Sequence, residues 1–291
     1  VTPQHLLLLI GISIAWGMNF VVAKLGLSEI PPLLFTTLRF TVIAVLLVPF
    51  LKWAPGQMRI LLVIALTAGG FHFALMFGGI ALTDASVAAV VVQLNVPFAT
   101  FLSIVFLGEV VGWQRWIGLA FAFGGVAFIS FDPQVFSYIF GVMLMAGGAF
   151  SMAVAMIFMR RIEGVGAMQL QAWLAVISFP LVGVLSLSFE SRQVETVLAA
   201  PLWAWGTVAY SAIIASIFGH AGMYYLIQRY EVSLVGPLTL LAPVLGIIFS
   251  VSLLGEGLTW RIVVGALVTL AGVAIVAARQ SSAAGEEIEP I

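Results

Sequence analysis

Cysteine is missing from all 291 residues, and charged residues make up only 8% of them. Without cysteine there are no disulfides, no thiolate nucleophile and no Cys-ligated metal. So few charges cannot clothe a soluble surface, which needs roughly a quarter to a third of its residues charged. A glycine-rich phosphate loop ending in lysine is also absent, so nothing binds ATP. With a net charge of −1 and no basic stripe, nucleic acid is not a partner. No Asp or Glu lies deep in any apolar run, and the two deep histidines, His72 and His220, are far apart in sequence. An intramembrane enzyme therefore lacks both a nucleophile–base pair and a metal cluster. No cofactor and no metal are expected.

What fills the chain is hydrophobic: 63% of residues, at a mean hydropathy of +1.20. A helix needs about 20 apolar residues to cross a bilayer, and ten runs meet that length. They cover approximately 5–23, 31–51, 58–82, 87–107, 112–130, 136–158, 168–189, 202–227, 233–254 and 260–278. The runs lack the alternation a membrane β-barrel needs. The expected fold is an all-α membrane protein of ten transmembrane helices, with the lipid bilayer as its solvent. The first run lacks a basic leader and a cleavage site, so it reads as a retained span. Basic residues fall seven against three in favour of the side shared by the two chain ends, Arg39 being left inside a run. That distribution places both termini in the cytoplasm.

The chain also repeats itself. Leu107-Gly108-Glu109, Trp113, Gly118 and Gly125-Val126-Ala127 return as Leu254-Gly255-Glu256, Trp260, Gly265 and Gly272-Val273-Ala274, all shifted by 147 positions. Phe71, Ala74, Met76, Ile80 and Ser86 match Phe218, Ala221, Met223, Ile227 and Ser233 at the same shift. Pro97 and Pro243 correspond with a one-residue slip. Five runs per half is an odd number, so the second half enters the membrane from the other side. The expectation is two inverted five-helix repeats, 1–134 and 135–279, around a central cavity, followed by a solvated, disordered tail at 280–291.

Polar residues inside the runs are the candidates for chemistry. Trp16 and Asn19 share a face of the first run, either packing against a neighbouring helix or forming a cavity wall. Lys24 beyond them reads as an interfacial anchor. Arg39 lies roughly 12 Å along its helix past Pro32, a depth at which an unpartnered charge costs several kcal/mol. Its role is either structural or recognition of a substrate carboxylate. His72 is a packing group or a pH-sensitive element, which leaves proton coupling open. In the fourth run, Gln93 and Asn95 precede Pro97, whose ring frees a backbone carbonyl at mid-bilayer. Pro237 and Pro243 break the ninth run in the corresponding place. Paired broken helices in inverted halves point to a transport site and to its hinges. Tyr224 is deep enough to reach the cavity. Glu109 and Glu256 are expected to cap the helices that follow them. The glycine stripes of the fifth and tenth runs allow close packing, within the chain or between protomers, so monomer and homodimer both stay open.

At the paired Leu-Gly-Glu-x-x-x-Trp blocks the sequence resembles the drug/metabolite transporter superfamily, specifically its EamA-type members. Trp16-Gly17 with Asn19, Arg39-Phe40 and Arg160-Arg161 resemble that family too, and the likeness spans nearly the whole chain. Among members it looks most like the YddG-type exporters of aromatic and other amino acids. The resemblance implies a ten-helix bundle exporting small metabolites across the bacterial inner membrane by alternating access. One departure stands out. Small multidrug pumps of the superfamily use a glutamate in their first span, and this chain has none. The expected cargo is a small neutral solute such as an aromatic or branched amino acid, with cationic drugs, purines or a channel as alternatives.

Overall fold

The computed structural model describes residues 2–227, 229–230 and 239–286, with the side chains of Tyr224, Ile227 and 279–286 outside the description. The expected roles of Pro237 and Tyr224 therefore lie outside the described residues. Helix is the only regular structure among the described residues, as lipid demands, because a helix satisfies its own backbone. Among the described residues, besides two short helices at Pro133–Phe136 and Gln193–Ala199, the ten long helices are α1 (Pro3–Gly26), α2 (Pro32–Phe50), α3 (Met58–Leu82), α4 (Ala85–Leu107), α5 (Trp113–Ser130), α6 (Ile139–Met159), α7 (Ala167–Phe189), α8 (Leu202–Met223), α9 (Leu241–Leu254) and α10 (Trp260–Glu286). Eight are long and apolar enough to cross a membrane. Of the other two, α5 carries Gln114 and Arg115 in its first turn, and α9 is described over 14 residues. The last helix runs on to Glu286, so residues 280–286, expected in a disordered tail, continue α10 instead.

Packing follows the duplication. Helix α1 lies on α9 as α6 lies on α4, and α3 lies on α6 as α8 lies on α1. The pairs α2 with α7 and α5 with α10 map onto themselves when the halves are exchanged. The α5–α10 pair shows the symmetry atom by atom. A Cβ on Gly118 would lie 2.9 Å from the Gly272 carbonyl, and one on Gly272 would lie 2.6 Å from the Gly118 carbonyl. Gly125 and Gly265 repeat this reciprocal contact at 2.6 and 2.8 Å. One partner's number rises as the other's falls, so the helices are antiparallel and related by a twofold axis across them. These glycine stripes meet each other inside the chain.

Helix direction alternates, giving two faces. The terminal face holds the start of α1 and the loops 51–57, 108–112 and 160–166. The distal face holds 27–31, 83–84, 131–138, 190–201 and 255–259.

Each Leu-Gly-Glu motif proves to be a helix stop. Gly108 and Gly255 close α4 and α9 in the left-handed conformation, at φ 68° and 70°, which glycine adopts without a Cβ clash. The glutamates that follow do not cap α5 or α10. Gly112 stands at the N-cap of α5 with no side-chain bond, and Thr259 Oγ1 accepts from the Ile262 amide at the start of α10. Glu256 reaches across to the other half, where its two oxygens accept from the amides of Ala85 and Ser86 at 2.6 and 2.9 Å. Glu109 pairs with Arg160 at 2.7 Å. The expectation of local capping fails because the left-handed glycine turns the chain before the next helix begins, carrying the carboxylate toward a different helix. Lys24 likewise is no lipid anchor: its ammonium donates to the carbonyls of Ile80, Ala81 and Thr83, closing the end of α3.

Candidate transport site

Both α3 and α8 change winding at mid-length. Residues Ala65–Phe71 and Tyr210–Phe218 form π-helix at twofold-related positions. A π segment widens the turn and frees backbone carbonyls for other partners. Side chains from neighbouring helices take them: Ser178 donates to the Ala65 carbonyl at 3.0 Å and Ser151 to Thr67 at 2.9 Å. On the α8 side the Trp16 indole donates to the Ala215 carbonyl at 2.9 Å. Helix α4 is interrupted too, by a 3-10 turn at Val92–Leu94 just before Asn95 and Pro97. In α9 the described helix begins at Leu241, two residues before Pro243, with Leu240 at its N-cap. These irregular segments surround a central cavity of about 340 Å³.

Trp16, Asn19, Arg39, His72, Gln93 and Asn95 all line that cavity, although they come from α1, α2, α3 and α4. Of the expected hinge prolines, Pro243 is also in the wall, while Pro97 is buried in α4 behind Asn95. Sequence reasoning passed over Phe73, Met76, Met152 and Met223, which complete the apolar wall with Phe20. The duplication held the clue for two of them, since Met76 and Met223 are matched positions. His220, from the α8 side, joins the wall one residue out of register with His72, whose counterpart is Gly219.

Arg39 dominates the electrostatics. It is 2% exposed, its guanidinium carbon lies 3.8 Å from the centre of the Phe73 ring, and Phe40 and Phe77 flank it at 5.0 and 5.6 Å. Nε donates to the Ser211 carbonyl at 3.3 Å and Nη2 donates to Ser216 Oγ, both in the π segment of α8. Ser216 Oγ in turn donates to the Ser211 carbonyl at 2.8 Å. Nη1 has no protein partner, and no carboxylate lines the cavity among the described residues. A buried guanidinium nitrogen left without an acceptor is costly unless something else supplies one.

The acceptors in the wall are also unpaired. Asn19 Oδ1 and Asn95 Oδ1 are buried without partners. Both histidines bind a carbonyl through Nδ1, His72 to Gly148 at 2.9 Å and His220 to Ser216 at 3.0 Å. A carbonyl only accepts, so Nδ1 carries the proton in each ring and the neutral tautomer keeps its lone pair on Nε2. The cavity thus offers one free cationic donor, several free acceptors and a sulfur–aromatic lining. That combination suits a small molecule with an anionic group, a donor group and an apolar body. Its volume is at the low end of the roughly 300–1,000 Å³ typical of ligand pockets.

Residues Ala85–Val91 of α4 are all buried, with no measurable exposure at Val87 through Val91. Toward the terminal face the α8 helix runs on past Met223 to Ile227, and Ala221 and Tyr225 line a second cavity of about 400 Å³ with Lys52 and Gln169.

Comparison with known proteins agrees with this architecture. The profile of the EamA-like transporter family matches twice, over residues 4–131 and 139–278. A protein of Escherichia coli strain K12 described as a "Probable amino-acid metabolite efflux pump" is 31% identical, over 90% of this chain and 91% of its own length. One of Salmonella typhimurium with the same description is 32% identical over the same shares. An "Uncharacterized transporter" of Archaeoglobus fulgidus is 28% identical over 90% and 94%. A crystal structure shares the fold at a TM-score of 0.64 and 17% identity, covering 99% of this chain and all of that one.

Proposed function

The chain belongs to the EamA-like transporter family, and from that premise we propose that it exports small neutral amino acids from the bacterial cytoplasm by alternating access. The observation that carries the reading is the set of unpaired groups in one cavity: Arg39 Nη1 as donor, with Asn19 Oδ1 and Asn95 Oδ1 as acceptors. An α-amino acid zwitterion supplies the complement of both. Its carboxylate accepts from Arg39 Nη1, a charge-assisted hydrogen bond, and its ammonium donates to the amide oxygens. The side chain then rests among Phe20, Met76, Met152 and Met223, a soft lining that accepts aromatic or branched shapes.

Two further observations support the reading. The Escherichia coli and Salmonella relatives are described as amino-acid metabolite efflux pumps. The asymmetric distribution of basic residues favours a multi-pass protein of the inner membrane with both termini inside. A cationic drug fits less well, because the cavity holds a guanidinium and, among its described lining, no carboxylate to neutralise a second cation. The interruption of α4 before Pro97 and the start of α9 near Pro243 are the hinges about which the two halves rock.

Counterflow in proteoliposomes tests the proposal. Vesicles loaded with unlabelled leucine or phenylalanine are expected to accumulate the labelled amino acid transiently and saturably, while a cationic dye and a purine give no signal. Absence of counterflow for every neutral amino acid, or unsaturable flux of the kind a pore gives, overturns it.

A further inference from the structure

The acceptors that Arg39 grips in α8 fix which way it faces. Its Nε and Nη2 form one edge of the planar guanidinium, and that edge is held by the Ser211 carbonyl at 3.3 Å and by Ser216 Oγ. The Ser216 hydroxyl gives its own proton to the Ser211 carbonyl at 2.8 Å, so toward Arg39 it presents lone pairs alone. The Phe73 ring, 3.8 Å from the guanidinium carbon, backs the group, and the two acceptors fix its rotation. What remains is Nη1, buried and without a partner among the described residues. We infer that Ser216 is the positioning residue of the transport site: its hydroxyl turns Arg39 so that Nη1 meets the substrate carboxylate. The inference rests on the amino-acid reading of the cavity and adds to it a residue outside the lining.

A purely structural hydroxyl would serve the π winding itself, and the other half of the molecule forms that winding without one. In α3 the matched position, shifted by 147, is Gly69. The π segment Ala65–Phe71 forms there all the same, crossed by Ser178 of α7, which donates to the Ala65 carbonyl at 3.0 Å. A Cβ on Gly69 would collide with that hydroxyl. The twofold-related crossings, α7 on α3 and α2 on α8, are therefore made by a serine over a glycine in one case and by an arginine on a serine in the other. Only the arginine lines the cavity. The same turn of α8 seats two more wall residues: the Ala215 carbonyl accepts from the Trp16 indole at 2.9 Å and the Ser216 carbonyl from His220 Nδ1 at 3.0 Å. Among these acceptors Ser216 Oγ alone is a side-chain atom, so it alone can be removed by substitution. Without it Arg39 keeps a single 3.3 Å bond to α8, about which the guanidinium can turn.

Removing the hydroxyl from the full chain tests this. Ser216→Ala is expected to raise KM for leucine efflux on the order of tenfold, the low end of what a hydrogen bond to a charged group represents, with the maximal rate within about twofold of the parent. Preference for leucine over its amide falls by a similar factor, because the amide gains less from the positioned nitrogen. Ser216→Thr keeps the hydroxyl and restores both. Ser178→Ala removes a buried serine donor from the matched crossing, and is expected to lower the melting temperature while leaving KM and the preference within about twofold of the parent. A Ser216→Ala protein that melts lower but keeps the full preference reduces Ser216 to a structural contact and overturns the inference, as does an equal loss of preference in Ser178→Ala. Nitrogen NMR of protein labelled at arginine reads the positioning without substrate. The Arg39 signals, identified by their loss in Arg39→Lys, are expected to show separate Nη resonances in the parent and averaged ones in Ser216→Ala. Averaged resonances in the parent, or separate ones in Ser216→Ala, overturn the inference even where no amino acid is transported, which keeps its failure apart from that of the counterflow experiment.

Discussion

Arg39 is pulled two ways, and its contacts indicate what a substitution there does. Nε and Nη2 are committed to the π segment of α8, the face lies on Phe73, and Nη1 is left for a ligand. Lysine keeps the charge but loses the fork, so it cannot hold α8 and a carboxylate together. Arg39→Lys is expected to reduce kcat/KM for amino-acid efflux by about 10- to 100-fold, the range that one charged hydrogen bond represents. Arg39→Gln goes further and also abolishes discrimination between an amino acid and its amide, which lacks the carboxylate. Uptake competition by the amide against the free acid measures this, and equal discrimination in the variant and the parent excludes carboxylate recognition by Arg39. Gly219 makes a second case at the same scale. A Cβ there collides with the Trp16 indole nitrogen, which must then leave the Ala215 carbonyl. Gly219→Ala is expected to displace the indole into the cavity, weakening substrate binding several-fold and shifting the tryptophan emission. Unchanged emission and KM argue that the ring keeps its place.

The spanning helices were legible in the sequence because composition decides them: a run of about 20 apolar residues has no other stable form in lipid. The duplication added the inverted arrangement, and the matched glycines of α5 and α10 forecast close packing without naming its partner. The structure supplies that partner, each stripe meeting the other. Gly118→Val would bring a Cβ within 2.9 Å of the Gly272 carbonyl and 2.8 Å of a Val276 methyl. Overpacking of this kind costs typically about 1–3 kcal/mol, so a fall in melting temperature is expected in detergent, with little change in KM because the crossing is remote from the cavity. Gly124→Ala on the same helix meets nothing within 4 Å and is expected to leave the melting temperature unchanged. Equal effects of the two changes place the tight crossing elsewhere. The π segments were not legible. Nothing in Ala65–Phe71 or Tyr210–Phe218 departs from an ordinary apolar run, because their cause is the serine, tryptophan and arginine donors on other helices that take the freed carbonyls. For the same reason the partners of Lys24, Glu109 and Glu256 stayed hidden, since a charged side chain at a helix end can serve whichever terminus the tertiary fold brings near. Trp16, Asn19, Arg39 and Asn95 were visible as residues too polar or too large for their depth, whereas Met76, Met152 and Phe73 look like any lipid-facing side chain.

Across the whole molecule, buried carboxylates and exposed ion pairs at the two faces respond to different conditions. The distal face is stitched by buried or half-buried carboxylates that join the halves. Asp132 accepts from Thr259 Oγ1 at 2.6 Å and from the Gln134 amide at 2.9 Å, and Asp84 accepts from the Tyr138 hydroxyl at 2.6 Å. Glu190 caps α2 through the Leu33 and Leu34 amides at 2.7 and 2.9 Å. Among the described residues, the terminal face carries the Arg160–Glu109 ion pair, whose side chains are 46% and 36% exposed, with Gln169 and Trp173 donating to the Lys52 carbonyl. Salt screens the exposed pair far more than the buried bonds. The hydroxyl of Thr259 holds the Asp132 carboxyl below the usual carboxylate range, against an opposing effect of desolvation. A group whose folded-state pKa is depressed contributes stability that is complete above its unfolded value, near 3.9, and is lost as pH falls through the folded value. At the basic end, burial first and then the neighbouring Asp84 carboxylate raise the Tyr138 hydroxyl above its ordinary value. Its contribution is complete below about pH 10 and is lost only as pH rises past that. The melting temperature of the purified protein is therefore expected to be level between about pH 5 and 9 and to fall on the acid side below about 4. Asp132→Asn lowers the plateau and flattens the acid limb, because the group that must be protonated is gone. Thr259→Val lowers the plateau too, and shortens the acid limb by removing the donor that depresses the carboxyl. An acid limb unchanged by either substitution removes Asp132 as its source and leaves Thr259 as the cap of α10 alone.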